Sequence, residues 1–172
     1  MARAKVLHQP DPPPDKGGGH GITPASPRPP VPIFTGHVLV VEDEPQMGRF
    51  LQAGLSNASI RVTLVTTGEA AILRLAKEPV DLIVLDIRLP GISGLETCRQ
   101  IKADPRLRHI PVIISTVYDE HQMRASAYAM GAADYLVKPF PMKHLLARVA
   151  RLLSAAMAGR NGLPPTAFLP PR

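Results

Sequence analysis

Five short runs rich in apolar residues recur through the middle of the chain, and a segment with helical spacing follows each one. The runs are residues 37–41, 60–65, 81–86, 112–116 and 134–138. Apolar runs bounded by polar residues are typical of parallel strands that are covered by helices on both faces. Five strand–helix units joined by short loops therefore predict an α/β fold with a doubly wound, five-stranded parallel sheet.

The segment after the first run shows how a helix is recognised. Pro45 suits the first turn of a helix, where its missing N–H is not needed. Apolar residues then recur at helical spacing, and we expect Met47, Phe50, Leu51 and Leu55 to form the inward stripe of this helix.

The two ends of the chain differ in composition from its middle. Residues 1–35 are rich in Pro and Gly, and residues 158–172 are rich in Pro, so we expect disordered tails around one domain at 36–157. The Gly-rich run at 16–21 follows no predicted strand and opens no helix. It is therefore not a nucleotide-binding fingerprint.

Charge and composition exclude several classes of protein. The net charge is +6, but the tails carry most of the excess, so direct DNA binding by the domain is not expected. The single cysteine, Cys98, forms no internal disulfide and lies at helical spacing with apolar residues, which favours a buried thiol. No apolar run is long enough for a membrane span or a secretory signal, so we expect a cytoplasmic protein.

Polar residues stand at the end of four of the predicted strands. They are the adjacent pair Glu42 and Asp43, then Asp86, Thr116 and Lys138. The carboxyl ends of parallel strands share one edge of the sheet, and ligands bind in the crevice outside that edge. We expect these side chains to meet there.

Three carboxylates placed together would repel one another, and a divalent cation relieves that repulsion. A few hard oxygen ligands favour Mg²⁺, and the alternative is a solvated acidic loop. Asp86 is the candidate nucleophile, because carboxylates form aspartyl-phosphate intermediates. Lys138 would supply a positive charge and Thr116 a hydroxyl to the phosphoryl oxygens.

The segments VLVVEDEP, DLIVLDIRLPGISG, IPVIISTV and GAADYLVKPF resemble the receiver domain of two-component response regulators. The resemblance extends from about Gly36 to Ser154, with the motifs in order. It implies a flavodoxin-like (βα)5 fold and a signalling module that is not a conventional enzyme. Neither tail has the length or pattern of an effector domain, so we expect a stand-alone receiver. Its implied partner is a histidine kinase or phosphotransfer protein that donates a phosphoryl group to Asp86.

The resemblance also implies a metal site and a switch. Glu42, Asp43, Asp86 and the backbone carbonyl of Arg88 would hold Mg²⁺ or Mn²⁺. The switch pair would be Thr116 and Tyr135, with Lys138 as the phosphate partner and a cis peptide bond before Pro139.

Three residues near the predicted pocket set this chain apart from the commonest pattern. Val117 follows the switch threonine where such domains usually carry Ala or Gly, and a branched side chain there would narrow access to Asp86. Arg88 and Tyr118 flank the expected path of a hydrolytic water. We expect Val117 and Tyr118 together to slow phosphoryl exchange.

The output would be a protein-binding surface made by the fourth helix, fifth strand and fifth helix. A phosphorylation-dependent homodimer is one form that this output can take, and the downstream target stays open. Two other functions are alternatives. One is a receiver-like adaptor with little phosphorylation, and the other is an aspartate-based phosphatase, which would need a general acid near Asp86. Arg88 is a poor acid because it stays protonated.

Overall fold

The computed structural model describes the backbone of residues 36–160 and the side chains of residues 36–158. Five strands and five helices alternate along this part of the chain. The strands are β1 (His37–Val41), β2 (Arg61–Val65), β3 (Leu82–Leu85), β4 (Val112–Thr116) and β5 (Asp134–Val137). The helices are α1 (Pro45–Ser56), α2 (Gly68–Leu75), α3 (Gly94–Ala103), α4 (His121–Ala129) and α5 (Met142–Arg160).

The strands form one parallel sheet in the order β2-β1-β3-β4-β5. All four residues of the central strand β3 are buried, whereas the edge strand β2 is only partly covered. A central strand of a parallel sheet has helices on both faces, which explains its continuous apolar run. The predicted doubly wound α/β fold is confirmed.

Successive side chains of a strand point to opposite faces, so each strand contributes to two cores. On one face, Leu39, Ile83 and Ile114 pack in a core that includes residues of α2, α3 and α4. On the other face, Val40 and Val84 pack in a core that includes residues of α1 and α5. The sheet is thereby packed between two helical layers.

Local signals mark the start of α1 and the end of α4. The Glu44 carboxylate caps α1 by accepting the backbone N–H groups of Gln46 and Met47, and Pro45 occupies the first turn. Gly131, just after α4, has φ +95°, a left-handed conformation that favours glycine.

One expectation for α1 is wrong. Phe50 was predicted on the inward stripe, but 45% of it is exposed, while Leu51 and Leu55 are fully buried. Gly48 is buried as well, since α1 lies close to Leu64 of β2. The buried stripe therefore runs through Gly48, Leu51 and Leu55. Phe50 is rotated about 100° from Leu51 around the helix axis.

The predicted tails fall mostly outside the described residues. The N-terminal segment 1–35 and residues 161–172 are not described. Helix α5 continues to Arg160 and so includes the first residues of the segment predicted as a C-terminal tail. Within residues 36–160, no helix is both long and apolar enough to cross a membrane.

Candidate functional site

The predicted site residues lie together at the carboxyl edge of the sheet. Glu42 and Asp86 directly follow β1 and β3, Thr116 ends β4, and Lys138 follows β5. Hydrogen bonds between strands extend to these residues: the Asp86 N–H donates to the Val41 carbonyl at 3.0 Å, and the Lys138 N–H donates to the Thr116 carbonyl at 2.8 Å. The sheet itself therefore sets the spacing of the site.

Three carboxylates cluster at this edge. Glu42, Asp43 and Asp86 each offer one oxygen atom, and these atoms lie within 4.8 Å of one another. Glu42 and Asp86 are buried, whereas Asp43 is exposed. Such a group of oxygen ligands can hold a hard divalent cation.

Lys138 supplies a positive charge inside this cluster. Its Nζ donates to Glu42 Oε2 and to Asp86 Oδ2, both at 2.7 Å. The side chains of all three residues are more than nine-tenths buried, so these charge-assisted hydrogen bonds are shielded from water. Lys138 thus neutralises part of the negative charge of the carboxylates. From the sequence, we expected a metal ion alone to relieve their repulsion.

The second carboxylate oxygen of Glu42 does not share the hydrogen bond to Lys138. Oε1 is buried and has no hydrogen-bond partner among the described residues. A buried carboxylate oxygen without a partner is costly, and it is a ready ligand for a cation or its water. Burial raises the pKa of Glu42, and the nearby Asp86 adds to this, while Lys138 opposes both. The site therefore fits a metal ion.

The carboxylate of Asp86 is oriented by its own loop. Oδ1 accepts the backbone N–H of Arg88 at 3.2 Å, while Oδ2 accepts from Lys138. Behind it, the N–H of Gly94 donates to the Ile87 carbonyl at 2.9 Å. A Cβ at Gly94 would overlap the Asp86 carbonyl oxygen, so only glycine lets α3 begin so close to this loop.

A cavity of about 1120 Å³ opens over the acidic cluster. Its wall includes the three residues predicted to control access, namely Arg88, Val117 and Tyr118. Val117 is 50% exposed, so its branched side chain stands at the cavity mouth and not in the core. All three residues thus lie beside the pocket, and their control of access stays a prediction.

The predicted switch residues are both buried. Thr116 is fully buried and Tyr135 is 4% exposed. The Tyr135 hydroxyl donates to the backbone carbonyl of Tyr118 at 2.7 Å, and the Tyr118 N–H lies 3.5 Å from Thr116 Oγ1. One peptide segment thus touches both switch residues. In addition, the Arg124 guanidinium carbon lies 5.2 Å from the centre of the Tyr135 ring.

Sequence reasoning missed three contributors. Gly94 stands in the quoted motif, but only its contact with the Asp86 main chain reveals its role. Tyr118 was assigned a role through its side chain, whereas its carbonyl is the group that binds Tyr135. No sequence signal marked Arg124, because its partner is eleven residues away on the next strand. The Lys138–Pro139 peptide bond is cis, as the resemblance implied.

Known proteins match this chain along most of its described part. A family model described as the response regulator receiver domain matches residues 38–150. The phosphate regulon transcriptional regulatory protein PhoB of Rhizobium meliloti is 38% identical over 119 residues, which are 69% of this chain and 52% of that protein. The response regulator PleD of Caulobacter vibrioides is 36% identical over 69% of this chain and 26% of its own length.

Solved structures agree with the sequence matches. The receiver domain of the sensor histidine kinase PA1611 from Pseudomonas aeruginosa PAO1 superposes with a TM-score of 0.65 at 32% identity, covering 69% of this chain and 98% of that domain. That structure has a magnesium ion coordinated in its active-site cleft. The chain spans about half the length of PhoB and a quarter of PleD, so the likeness concerns one domain of those proteins.

Proposed function

Because the chain belongs to the response regulator receiver domain family, a signalling module of two-component systems, we propose that it accepts a phosphoryl group on Asp86. The donor is the phosphohistidine of a histidine kinase or phosphotransfer protein. The observation that carries this proposal is the placement of the Asp86 carboxylate. It is held by Lys138 and by the Arg88 N–H, and it lies in a cavity beside two further carboxylates.

In the transfer, one Asp86 carboxylate oxygen attacks the phosphorus atom. A bond from that oxygen to phosphorus forms while the phosphorus–nitrogen bond of the donor breaks, and the imidazole leaves with the bonding electron pair. Lys138 lies 2.7 Å from Asp86 Oδ2 and follows the negative charge onto the phosphoryl oxygens. The Arg88 N–H keeps the carboxylate oriented during the attack.

The residues that would hold Mg²⁺ or Mn²⁺ are Glu42, Asp43 and Asp86, with the backbone carbonyl of Arg88. The unpartnered Oε1 of Glu42 and the close approach of the three carboxylates support this assignment. When bound, the ion neutralises charge on the carboxylates and on the phosphoryl oxygens.

Phosphorylation adds about two negative charges and several strong hydrogen-bond acceptors. We propose that the hydroxyl of Thr116 turns toward the new phosphoryl group, and that the space it vacates favours the buried orientation of Tyr135. This would bias the surface formed by α4, β5 and α5 toward one form. The output partner is a protein that binds this surface, or a second copy of the chain in a phosphorylation-dependent dimer.

The charges of this surface favour a protein partner over DNA. Arg148 and Arg151 of α5 both pair with Asp134 at the start of β5, so part of the basic face is neutralised within the chain. We propose that the domain makes no direct DNA contacts. Since the Rhizobium relative is named a transcriptional regulatory protein, a DNA-binding assay belongs beside the protein-binding assays.

We also propose that Val117 and Tyr118, together with Arg88, restrict access to Asp86 and slow phosphoryl exchange. All three line the cavity over the acceptor. Val117→Ala and Tyr118→Ala should each speed phosphorylation by acetyl phosphate or loss of the phosphoryl group. Unchanged rates in both variants would contradict this assignment.

The direct test is phosphate-affinity electrophoresis after incubation with acetyl phosphate, with and without Mg²⁺. We expect a shifted band that needs Mg²⁺ and that is absent from the Asp86→Asn variant. The absence of any shift in a folded, Mg²⁺-binding protein would refute the phosphoacceptor function. It would support instead an adaptor that binds partners without phosphorylation.

A further inference from the structure

Tyr135 is buried by contacts from the segment between β4 and α4 and from α4 itself. Its hydroxyl donates to the Tyr118 carbonyl at 2.7 Å, and the Arg124 guanidinium lies over its ring at 5.2 Å from the centroid. Arg124 also pairs with Asp119, at 2.8 Å between Nη2 and Oδ1. The ring is therefore held at its hydroxyl and on its face.

The two charged residues act in different ways. The face of an aromatic ring is negative, so a guanidinium above it is attracted to the ring. Asp119 lies just before α4 and restrains the guanidinium by one hydrogen bond. The Asp119 and Arg124 side chains are 72% and 43% exposed, so the ion pair by itself contributes little to stability. Its effect is to keep the cation over the ring.

We propose that Arg124, restrained by Asp119, is a positioning residue that keeps Tyr135 in its buried orientation before any phosphoryl group arrives. The unphosphorylated protein then already presents part of the surface of α4, β5 and α5 that phosphorylation would stabilise. This inference rests on the proposed function, since it concerns the regulation of the same site.

One short segment links Tyr135 to Thr116. The Tyr118 carbonyl receives the Tyr135 hydroxyl, and the Tyr118 N–H faces Thr116 Oγ1 at 3.5 Å. If Tyr135 leaves its buried position, the Tyr118 carbonyl loses its partner and the segment beside Thr116 loosens. A cation over an aromatic ring at a partly exposed site shifts such an equilibrium about two- to fivefold. We expect phosphorylation by acetyl phosphate to slow by about the same factor in Arg124→Gln.

The chain is well suited to a spectroscopic test, because it has three tyrosines and no tryptophan. Protein labelled with 3-fluorotyrosine gives three ¹⁹F resonances, which are assigned with Tyr118→Phe, Tyr128→Phe and Tyr135→Phe. The change in each chemical shift between H₂O and D₂O reports the exposure of that ring. All spectra are recorded without phosphodonor, so the result does not depend on phosphorylation.

Three variants are compared with the native sequence. Arg124→Gln removes the cation, Arg124→Lys keeps it, and Asp119→Asn removes the restraint. The matched control is Arg99→Gln, since Arg99 is an exposed arginine of α3 that pairs with Glu96 at 2.6 Å.

We expect the Tyr135 resonance to become more solvent-exposed in Arg124→Gln, less so in Asp119→Asn, and to be largely restored in Arg124→Lys. The Arg99→Gln variant should match the native spectrum. A Tyr135 resonance that is unchanged in both Arg124→Gln and Asp119→Asn would overturn the proposal. A failure of Asp86 to accept phosphate would instead refute the proposed function and leave the ¹⁹F result standing.

Discussion

Replacing Lys138 with methionine tests the electrostatics of the site most directly. Methionine keeps much of the side-chain volume but removes the ammonium that donates to Glu42 and Asp86 at 2.7 Å each. Glu42 is 2% exposed, so it cannot turn to water for compensation without a structural change. Burial already raises its pKa, and the loss of Lys138 raises that pKa further.

The free energy of unfolding that Lys138→Met loses has a lower and an upper bound. Loss of hydrogen bonds to a charged group costs about 1.5–3 kcal/mol. The penalty cannot exceed the free energy of protonating Glu42, about 1.4 kcal/mol for each unit between pH 7 and an ordinary pKa of about 4.3. This limit is about 3.7 kcal/mol, so we expect the variant to lose about 1.5–3.7 kcal/mol at pH 7 without divalent cations.

The dependence on pH has a definite sign. A carboxyl group whose pKa is raised by folding destabilises the folded state at pH values above its unfolded pKa, and this penalty shrinks as the pH falls. At pH 5 the same limit is about 1 kcal/mol, so most of the difference between variant and native protein should disappear. Saturating Mg²⁺ should also reduce the difference, because a cation then faces the same carboxylates.

Urea denaturation with EDTA at pH 7 and pH 5, and with Mg²⁺ at pH 7, measures these differences. The control is Lys143→Met, the same substitution at an exposed position of α5. A cost for Lys138→Met that is equal at the two pH values, or no greater than that of the control, would refute the reasoning.

Three further outcomes follow from packing. Leu51→Ala should cost about 2–5 kcal/mol, because Leu51 is fully buried, whereas Phe50→Ala should change stability by less than about 1 kcal/mol in the same urea assay. Gly94→Ala should lose about 2 kcal/mol or more, because the new methyl group overlaps the Asp86 carbonyl; native-like stability would contradict that contact. Cys98 should stay unreactive toward a thiol reagent until the protein unfolds, since it is fully buried and burial raises the pKa of its thiol.

The pattern of the chain was enough to predict the sheet and the edge that carries the site. A strand-length run of Val, Ile and Leu places apolar side chains on both faces of the strand, and both faces then have to be buried. The central position of β3 between two helical layers was therefore predictable from its sequence. The polar residue that ends each run then has to lie at the shared carboxyl edge. This is why Glu42, Asp86 and Lys138 were found without knowledge of the tertiary structure.

The order of the strands and the partners of each charge required the folded chain. Lys138 follows Glu42 by 96 residues, and only the arrangement β2-β1-β3-β4-β5 brings its ammonium between Glu42 and Asp86. For the same reason, the exposure of Phe50 and the position of Arg124 over Tyr135 were not predictable. Local periodicity determines which residues are buried within a segment on average. The direction in which a particular side chain points depends on what packs against it, and those atoms come from distant parts of the chain.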